Sequence, residues 1–261
     1  MSWCKTLPIT ERAEIALDFW GRIGFPPDAK QLALLEGDPH RVILNCTRQW
    51  GKSTVTAALA VRRAYEEPDS LILVLSPSLR QSGEFIRKAN GFMSRLGLRA
   101  RRDGTNEVSL RFENGSRIVG LPGKEETVRG YSSVELVIID EAARVQDRLY
   151  KTVRPMMAVS DGDLWLMSTP WGKRGFFYEE WTNGGDDWIR VSAPATECPR
   201  IRPEFLEGER RTMGERWFRQ EYLCDFSDTD DSVFRTDDIH AAIDHSIELL
   251  RVPPFGGAKC Y

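Results

Sequence analysis

Short apolar runs and amphipathic stretches alternate along most of the chain. The apolar runs predict buried strands, whereas stretches with apolar positions three and four apart predict helices. The predicted strands occupy 41–45, 70–76, 135–139, 163–167 and 187–192. The predicted helices occupy 11–24, 29–36, 53–66, 79–96, 147–158 and 175–182. This alternation predicts an α/β fold with a mainly parallel sheet, flanked by helices and joined by right-handed crossovers.

One region changes to a period of two. Val108, Leu110 and Phe112 lie on one face of such a run, and strand character resumes over 116–121 after Asn114-Gly115. Asn-Gly between two alternating runs predicts an antiparallel hairpin, which we expect at the edge of the sheet.

The composition shifts from about residue 200 onwards. Two helices rich in Arg and Glu are predicted over 203–224, with a break near Met213-Gly214. A short helix is predicted near 237–249, and the chain then closes with a Pro- and Gly-rich stretch that has the composition of a linker.

The segment Cys46–Thr54, between the first core strand and the next helix, carries Gly-Lys-Ser at the start of that helix. A strand, a loop and this tripeptide form the context of a phosphate-binding P-loop, where backbone N–H groups and the helix dipole favour bound phosphate. Lys52 can reach the β- and γ-phosphates, and the Ser53 hydroxyl can bind Mg²⁺. The match is imperfect, because Cys46 occupies the position where the motif usually has its first Gly.

A second motif strengthens this interpretation. The strand over 135–139 delivers Asp140 and Glu141 at its carboxyl end, which is the edge where open α/β sheets bind ligands. We expect Asp140 to hold Mg²⁺ and Glu141 to orient and polarise the attacking water, because γ-phosphate hydrolysis depends on positioning and electrostatics. The two motifs predict an ATPase with ATP and Mg²⁺ as cofactors.

Composition narrows the class of protein further. The 261 residues suffice for one large α/β domain with a small appendage. With a net charge of −3, the chain lacks the overall basicity of a constitutive nucleic-acid binder. The five cysteines show no metal-ligand spacing, which favours reduced thiols in a cytosolic compartment over a zinc site or disulfides. No apolar run approaches the length that a membrane span requires.

The ordered set of motifs resembles the large subunit of tailed-bacteriophage terminases, the ATP-driven motor that packages DNA. Arg48-Gln49 before Gly51-Lys52 is similar to the P-loop variant of that family, and Ser168-Thr169-Pro170 is similar to its coupling motif. The segment 216–226 resembles the end of the family's ATPase region. The resemblance covers about residues 25 to 235 and implies a P-loop NTPase fold of the ASCE or RecA-like type.

The resemblance also implies roles for individual residues in the nucleotide site. Arg48 would lie near the γ-phosphate and act in cis, although it is alternatively a solvent-facing loop arginine. Gln31 would read the adenine edge, although it is alternatively a solvated helix residue. The implied nucleotide contacts are Gln31, Arg48, Gln49, Gly51, Lys52, Ser53 and Thr54.

In ring ATPases, an arginine from a neighbouring subunit can complete the active site. Arg129 is the first candidate for this trans role, Arg144 and Arg148 compete with it, and a structural ion pair is the alternative. Ser168 and Thr169 would sense the γ-phosphate and transmit hydrolysis, although a helix cap before Pro170 is a compatible interpretation.

The implied partners are double-stranded DNA, further copies of the chain in a homo-oligomeric ring, a portal protein and a small terminase subunit, with no membrane. The basic run 95–102 would contact DNA phosphates through Arg101 and Arg102, unless it is an ordinary solvated face. We expect the protein in the host cytoplasm, transiently docked on the procapsid portal.

The expected division is an ATPase core with an N-terminal helical extension over 1–195, a helical lid over 196–235 and a linker over 236–261. Within 236–261 no strand-borne acidic cluster follows, so we do not expect the family's nuclease activity in this chain. A helicase-like P-loop translocase and a non-catalytic, nucleotide-gated scaffold remain the alternative functions.

Overall fold

The computed structural model describes residues 18–37, 39–99, 101, 104, 108–228, 238 and 241–243. The chain up to Ser227 forms one compact unit, and a second unit begins at Asp228. Residues 18–22 are helical, as are 238, 241 and 242 in the second unit. Residues 23, 24 and 243 are described and are not helical. The other residues of the helices predicted over 11–24 and near 237–249 lie outside the described residues.

A single sheet organises the first unit. The strands are β1 (Arg41–Cys46), β2 (Leu71–Ser76), β3 (Ser109–Arg111), β4 (Arg117–Pro122), β5 (Leu136–Asp140), β6 (Asp163–Ser168) and β7 (Ile189–Ala193). Their order in the sheet is β3-β4-β2-β5-β6-β1-β7, with β3 antiparallel to β4 and every other neighbouring pair parallel. This architecture confirms the predicted mainly parallel α/β fold and its antiparallel hairpin at the edge.

Eight α-helices accompany these strands between Ala29 and Tyr222 in the part of the chain that the structure describes. They are α1 (Ala29–Gly37), α2 (Lys52–Glu66), α3 (Leu79–Arg95), α4 (Glu125–Val128), α5 (Asp147–Val153), α6 (Gly175–Asn183), α7 (Pro203–Met213) and α8 (Glu215–Tyr222). None of the described helices has the length and apolarity needed to cross a bilayer.

The two faces of the sheet form separate hydrophobic cores, because successive side chains of a strand point to opposite faces. Ile138 and Met167 lie in the core that includes α2 and α3. Ile139 and Leu166 lie in the opposite core, which includes α5 and α6. The face on which each functional side chain lies can therefore be determined from its position along the strand.

The α7–α8 hairpin has a small core of its own, built around Leu206 and Phe218. Gly214 separates the two helices, with φ 80° and ψ 158°. This conformation is almost exclusive to glycine. The break predicted near Met213-Gly214 is therefore confirmed.

Helix α5 is shorter than the sequence pattern predicts. The α-helix stops at Val153, and a 3-10 helix continues over Arg154–Met157. Pro155 explains the change, because a proline in a helix interior lacks the backbone donor and clashes with the preceding turn.

Candidate active site

The P-loop contains a tight turn that the sequence pattern did not predict. Between β1 and α2 the chain forms a 3-10 helix over Arg48–Trp50, and the Trp50 amide donates to the Thr47 carbonyl at 3.2 Å. Gly51 follows with φ 98°, a left-handed conformation that suits glycine. A Cβ on Gly51 would lie 3.4 Å from Gln31 Nε2, so the backbone also passes close to a neighbour here.

Two side chains from distant parts of the sequence hold this turn in place. Gln31 Nε2 donates to the Trp50 carbonyl at 2.9 Å, and Arg200 Nη2 donates to the same oxygen at 2.7 Å. Arg200 Nη2 also lies 3.4 Å from the Gln49 carbonyl. Arg200 has no motif around it, which is why sequence reasoning missed it.

Gln31 is buried and serves the structure of the site. Its Oε1 accepts from the Asp28 amide at 3.0 Å, and its own amide donates to Asp28 Oδ1 at 2.9 Å. This reciprocal pair is a capping box at the start of α1. A side-chain amide has two donors and two acceptor positions, so one of each remains for a base. That Gln31 reads the adenine edge stays a prediction.

Lys52 begins α2 with its side chain turned back into the loop. Its Nζ donates to the Cys46 carbonyl at 2.6 Å and to the Thr47 carbonyl at 3.2 Å. Ser53 and Thr54 follow on the first turn of α2, both half-buried. The ammonium group therefore already lies inside the loop. There, phosphate oxygens would accept hydrogen bonds from it, in place of these carbonyls or alongside them.

Cys46 presents only its backbone to the loop. Its side chain lies in the core with the Sγ 3.7 Å from the Val191 carbonyl, and burial raises the pKa of the thiol strongly. A side chain in place of the usual glycine is therefore accommodated on the side facing away from the loop. The imperfect motif does not obstruct the phosphate site.

The acidic pair lies at the carboxyl end of β5. Asp140 is buried, and burial raises the pKa of its carboxyl group to about 6, with Glu141 adding to the rise and Lys52 opposing it. Glu141 has φ 51° and ψ 42°, a left-handed conformation that is unusual for a non-glycine residue. Its amide donates to Asp140 Oδ1 at 3.0 Å. Strain of this kind concentrates at functional sites.

The donor set suits a magnesium ion that is held together with a nucleotide. Asp140 offers one carboxylate and Ser53 offers one hydroxyl at the start of α2. Within the described ranges, no group of three or more His, Cys, Asp and Glu residues gathers into a self-sufficient metal site. Mg²⁺ is commonly bound by one or two carboxylates, while substrate phosphates and water supply the other ligands.

An ion network joins the P-loop, the acidic pair and α8. Arg48 Nε contacts Glu221 Oε2 at 3.0 Å, and Arg144 Nη2 lies 3.5 Å from Glu221 Oε1. Arg144 Nη1 lies 3.4 Å from Glu141 Oε2. Glu221 thus connects the P-loop arginine to the arginine beside the predicted catalytic carboxylate.

An aromatic contact reinforces the same connection. The Arg144 guanidinium stacks over the Trp171 ring at 4.2 Å from its centroid, and Trp171 lies 6.0 Å from the Trp217 ring of α8. Trp171 directly follows Ser168-Thr169-Pro170. A tryptophan beside a predicted coupling motif was the signal in the sequence that could have indicated this contact.

The structure places Ser168, the first predicted coupling residue, on the opposite face of the sheet from Asp140. Ser168 ends β6 on the face of Leu166, beside Asn45 of β1, whereas Asp140 lies on the face of Met167. The hydroxyls of Ser168 and Thr169 are buried, and neither has a hydrogen-bond partner among the described residues.

Neither hydroxyl caps the following helix. That helix, α6, begins only at Gly175 and has Arg174 in the capping position. The alternative interpretation of Ser168 and Thr169 as a helix cap is therefore not supported.

Asn45, level with Ser168 on the neighbouring strand, binds the end of the helical hairpin. Its Nδ2 donates to the Cys224 carbonyl at 2.8 Å. The Thr47 hydroxyl donates to the Glu221 carbonyl at 3.0 Å. The P-loop strand and the last turn of α8 are therefore directly joined.

Arg129 lies outside this network. It follows α4, pairs with Glu125 and has a side chain that is 70% exposed. A cleft of about 490 Å³ lies beside α4, and Arg144 and Arg148 line its other side. An exposed arginine is available to a neighbouring molecule, so the trans role stays a prediction.

The predicted DNA-contact residues are only partly described. Arg101 is exposed and forms an isolated antiparallel bridge with Arg111 of β3. β3 lies at one edge of the sheet, whereas β1, which leads into the P-loop, lies next to the other edge. Arg102 lies outside the described residues, and its contact with DNA stays a prediction.

Comparison with known proteins agrees with the motifs. Residues 43–241 match the family described as terminase large subunit, T4likevirus-type, N-terminal. The terminase large subunit of Escherichia phage T5 is 28% identical over 237 residues, which is 87% of this chain and 53% of that protein. The terminase large subunit of Thermus phage G20c is 24% identical over 83% of this chain and 52% of that protein. The chain thus spans about half the length of these relatives.

Solved structures share the fold. The large terminase ATPase domain of Thermus phage P74-26 superposes with a TM-score of 0.69 at 23% identity, covering 80% of this chain and 97% of that one. The large terminase of another thermophilic bacteriophage, in complex with ADP, superposes with a TM-score of 0.67 at 14% identity, covering 77% of this chain and 54% of that one. The family match over most of its length shows that the chain belongs to the T4-like terminase large subunits, whose N-terminal region it matches.

Proposed function

We propose that this chain hydrolyses ATP with Mg²⁺ and that hydrolysis drives double-stranded viral DNA into a procapsid. One observation carries the proposal: the contacts of Arg48 with Glu221, of Glu221 with Arg144 and of Arg144 with Glu141 join the P-loop to the acidic end of β5. Membership of the terminase family favours DNA packaging over a helicase-like activity.

ATP would bind with its phosphates at the N-terminus of α2. Lys52 would exchange a backbone carbonyl for phosphate oxygens, and the backbone amides of the P-loop would donate to the same phosphates. Gln49, Gly51 and Thr54 would contribute through this backbone. The thermophilic-phage terminase that shares the fold has been solved in complexes with ADP and with ATP-γ-S, and this supports a nucleotide at the equivalent place.

Magnesium would be held by Asp140 and Ser53 and would neutralise charge on the β- and γ-phosphates. The raised pKa of Asp140 is consistent with this role, because a buried carboxylate without a cation is costly to ionise. A bound cation would compensate for that cost.

Glu141 would accept a hydrogen bond from the attacking water and align it with the γ-phosphate. In the structure, the Glu141 carboxylate lies 3.4 Å from Arg144. Arg144 would have to release Glu141, or turn with it, before the water can be polarised. The arginine is held by Trp171 and Glu221 as well, so this movement would involve α8.

Arg48 would stabilise charge on the transferred phosphoryl group in cis. It would leave Glu221 to do so, and the α7–α8 hairpin would then act as a lid whose position depends on the nucleotide. Ser168 and Thr169, next to the Asn45 anchor of this hairpin, would transmit the change.

Arg129 would complete the active site of a neighbouring subunit in a homo-oligomeric ring. Its 70% exposure supports this assignment, because a residue that acts in trans has to reach outside its own subunit. The competing candidates Arg144 and Arg148 line the cleft beside it, and Arg144 is already engaged by Glu141.

The remaining assignments concern the whole packaging machine. DNA phosphates would contact Arg101 and Arg102, and the motor would engage a portal protein and a small terminase subunit in the host cytoplasm. We retain the proposed division into a core over 1–195, a lid over 196–235 and a linker over 236–261. The terminase family supports these proposals, although the chain covers only about half of its curated relatives.

Glu141→Gln tests the proposed function. We expect the variant to bind ATP with an affinity close to that of the parent and to lose hydrolysis by at least about 10²-fold, because the amide cannot polarise the water as a carboxylate does. ATP binding and phosphate release are measured on the same samples, with the exposed Glu113→Gln as a control for the same chemical change. Normal turnover by Glu141→Gln would refute the site assignment.

A further inference from the structure

Ser76 ends β2 beside the predicted metal-binding carboxylate. β2 and β5 are parallel neighbours, and Leu75 pairs with Ile139, so Ser76 is level with Asp140. Adjacent strands lie about 4.8 Å apart. The sequence motifs gave no reason to single out this serine.

The side chains of Ser76 and Asp140 lie on the same face of the sheet. Two positions earlier, Val74 and Ile138 both lie in the core that includes α2. Because orientation repeats every two residues along a strand, Ser76 and Asp140 also lie on the face that α2 and α3 cover, and α2 begins with the P-loop lysine. Ser168 ends β6 on the opposite face and cannot take the same place.

The Ser76 hydroxyl has an unsatisfied hydrogen-bonding capacity. The residue is fully buried, and its Oγ has no hydrogen-bond partner in the part of the chain that the structure describes. Leaving a buried hydroxyl without a partner destabilises the folded chain. Such a donor beside a carboxylate therefore indicates a hydrogen-bond partner that becomes available when metal and nucleotide bind.

Among the described residues, no side-chain donor is seen on the Asp140 carboxylate. The hydrogen bond that the structure shows for its carboxylate is from the adjacent Glu141 amide. Carboxylates that bind metals are usually held by further hydrogen bonds, which fix their orientation and support the charged form.

We propose that Ser76 is a positioning residue for the metal site, and that its hydroxyl donates to Asp140, directly or through a metal-bound water, when Mg²⁺ and nucleotide are bound. The proposal rests on the proposed function, since it requires Asp140 to hold the metal. Ser76 then acts through Asp140 and does not touch the reacting phosphate.

Binding of Mn²⁺, followed by electron paramagnetic resonance in the presence of saturating ADP, tests this role. We expect Ser76→Ala to weaken Mn²⁺ binding by about 10–100-fold, the range for partners that orient metal ligands. Binding of ADP without metal should stay unchanged, which shows that the fold and the P-loop are intact. Hydrolysis of ATP by Ser76→Ala should recover when the Mg²⁺ concentration is raised.

Ser70→Ala is the matched control. Ser70 directly precedes β2 at its other end and also has a buried hydroxyl for which no partner is found among the described residues. This variant should bind Mn²⁺ like the parent. Ser76→Cys separates packing from hydrogen bonding, because it restores the volume but offers only a weak donor. It should remain defective in metal binding.

Two results would overturn the inference about Ser76 while leaving the proposed function intact. These are parental Mn²⁺ affinity in Ser76→Ala, and full restoration by Ser76→Cys, provided that Asp140→Asn loses Mn²⁺ binding. If Asp140→Asn itself binds Mn²⁺ like the parent, the metal assignment in the proposed function is wrong and the role of Ser76 is excluded with it.

Discussion

At the scale of a single residue, the burial of Asp140 lowers the stability of the folded chain and also places the carboxylate of the proposed metal site. Its carboxyl group is buried at the end of β5, beside another acid, and its pKa is raised from 3.8 to about 6. The fold therefore favours the neutral form, whereas metal binding requires the charged one. Above this pKa, the folded protein is therefore destabilised by the carboxylate that the proposed metal site requires.

This conflict predicts a pH dependence of stability. Because the folded-state pKa lies above the unfolded-state value, the contribution of Asp140 is fully present below about pH 4 and is lost as pH rises through 6. The loss amounts to about 3 kcal/mol, at 1.36 kcal/mol for each pH unit between the two pKa values.

Asp140→Asn should remove this component. Without nucleotide, we expect the variant to be more stable than the parent above pH 6, by up to about 3 kcal/mol, and to lose that advantage towards pH 4. The free energy of unfolding, measured by denaturant titration from pH 4 to pH 8, checks this. A constant difference between the two proteins across the range would contradict the assigned burial of the charge.

At the scale of elements, the α7–α8 hairpin depends on one backbone conformation. Gly214 has φ 80° and ψ 158°, and nothing lies within 4 Å of the Cβ that alanine would add. Gly214→Ala should therefore destabilise the chain through backbone strain alone, by about 1–3 kcal/mol.

Gly208, inside α7, provides the opposite case. It lacks positive φ and has open space around its added Cβ. Gly208→Ala should therefore stabilise the protein by about 0.5–1 kcal/mol. Thermal unfolding of both variants decides the matter. Equal effects of the two substitutions would show that the break between α7 and α8 does not depend on the glycine conformation.

The elements themselves were largely predictable because their signals are local. Strand and helix periods, Asn114-Gly115 and the break near Gly214 each lie within a few residues of the feature that they specify. Their observed counterparts agree closely. The shortened α5 is one exception, because Pro155 changes the last turn to a 3-10 helix. The 3-10 turn over Arg48–Trp50 and the short helix α4 were not predicted either.

The site was predictable only where chemistry is concentrated in a contiguous motif. Lys52, Asp140 and Glu141 could be singled out because the spacing of each motif relates directly to a strand end. Arg200 and Glu221 could not, since their partners in the P-loop lie 150 and 173 residues away in sequence. Such contacts depend on how the hairpin and the loops fold back over the P-loop.

At the scale of the whole molecule, the proposed arginines divide into those that act within one subunit and one that acts on another. Arg48 and Arg144 both pair with Glu221 of α8, whereas Arg129 pairs with Glu125 at the start of α4. An arginine finger contributes about 10³–10⁵-fold to phosphoryl transfer. Activity that depends on Arg129 should therefore depend on assembly.

The most direct test is the rate of ATP hydrolysis per subunit, measured with Mg²⁺ over a wide range of protein concentrations, with and without double-stranded DNA. We predict that the rate rises with concentration, that Arg129→Ala abolishes the rise, and that Arg148→Ala leaves it in place. A measurable but flat rate would mean that Arg48 acting in cis is sufficient. ATP binding without hydrolysis at any concentration would contradict the central claim and identify the chain as a nucleotide-gated scaffold.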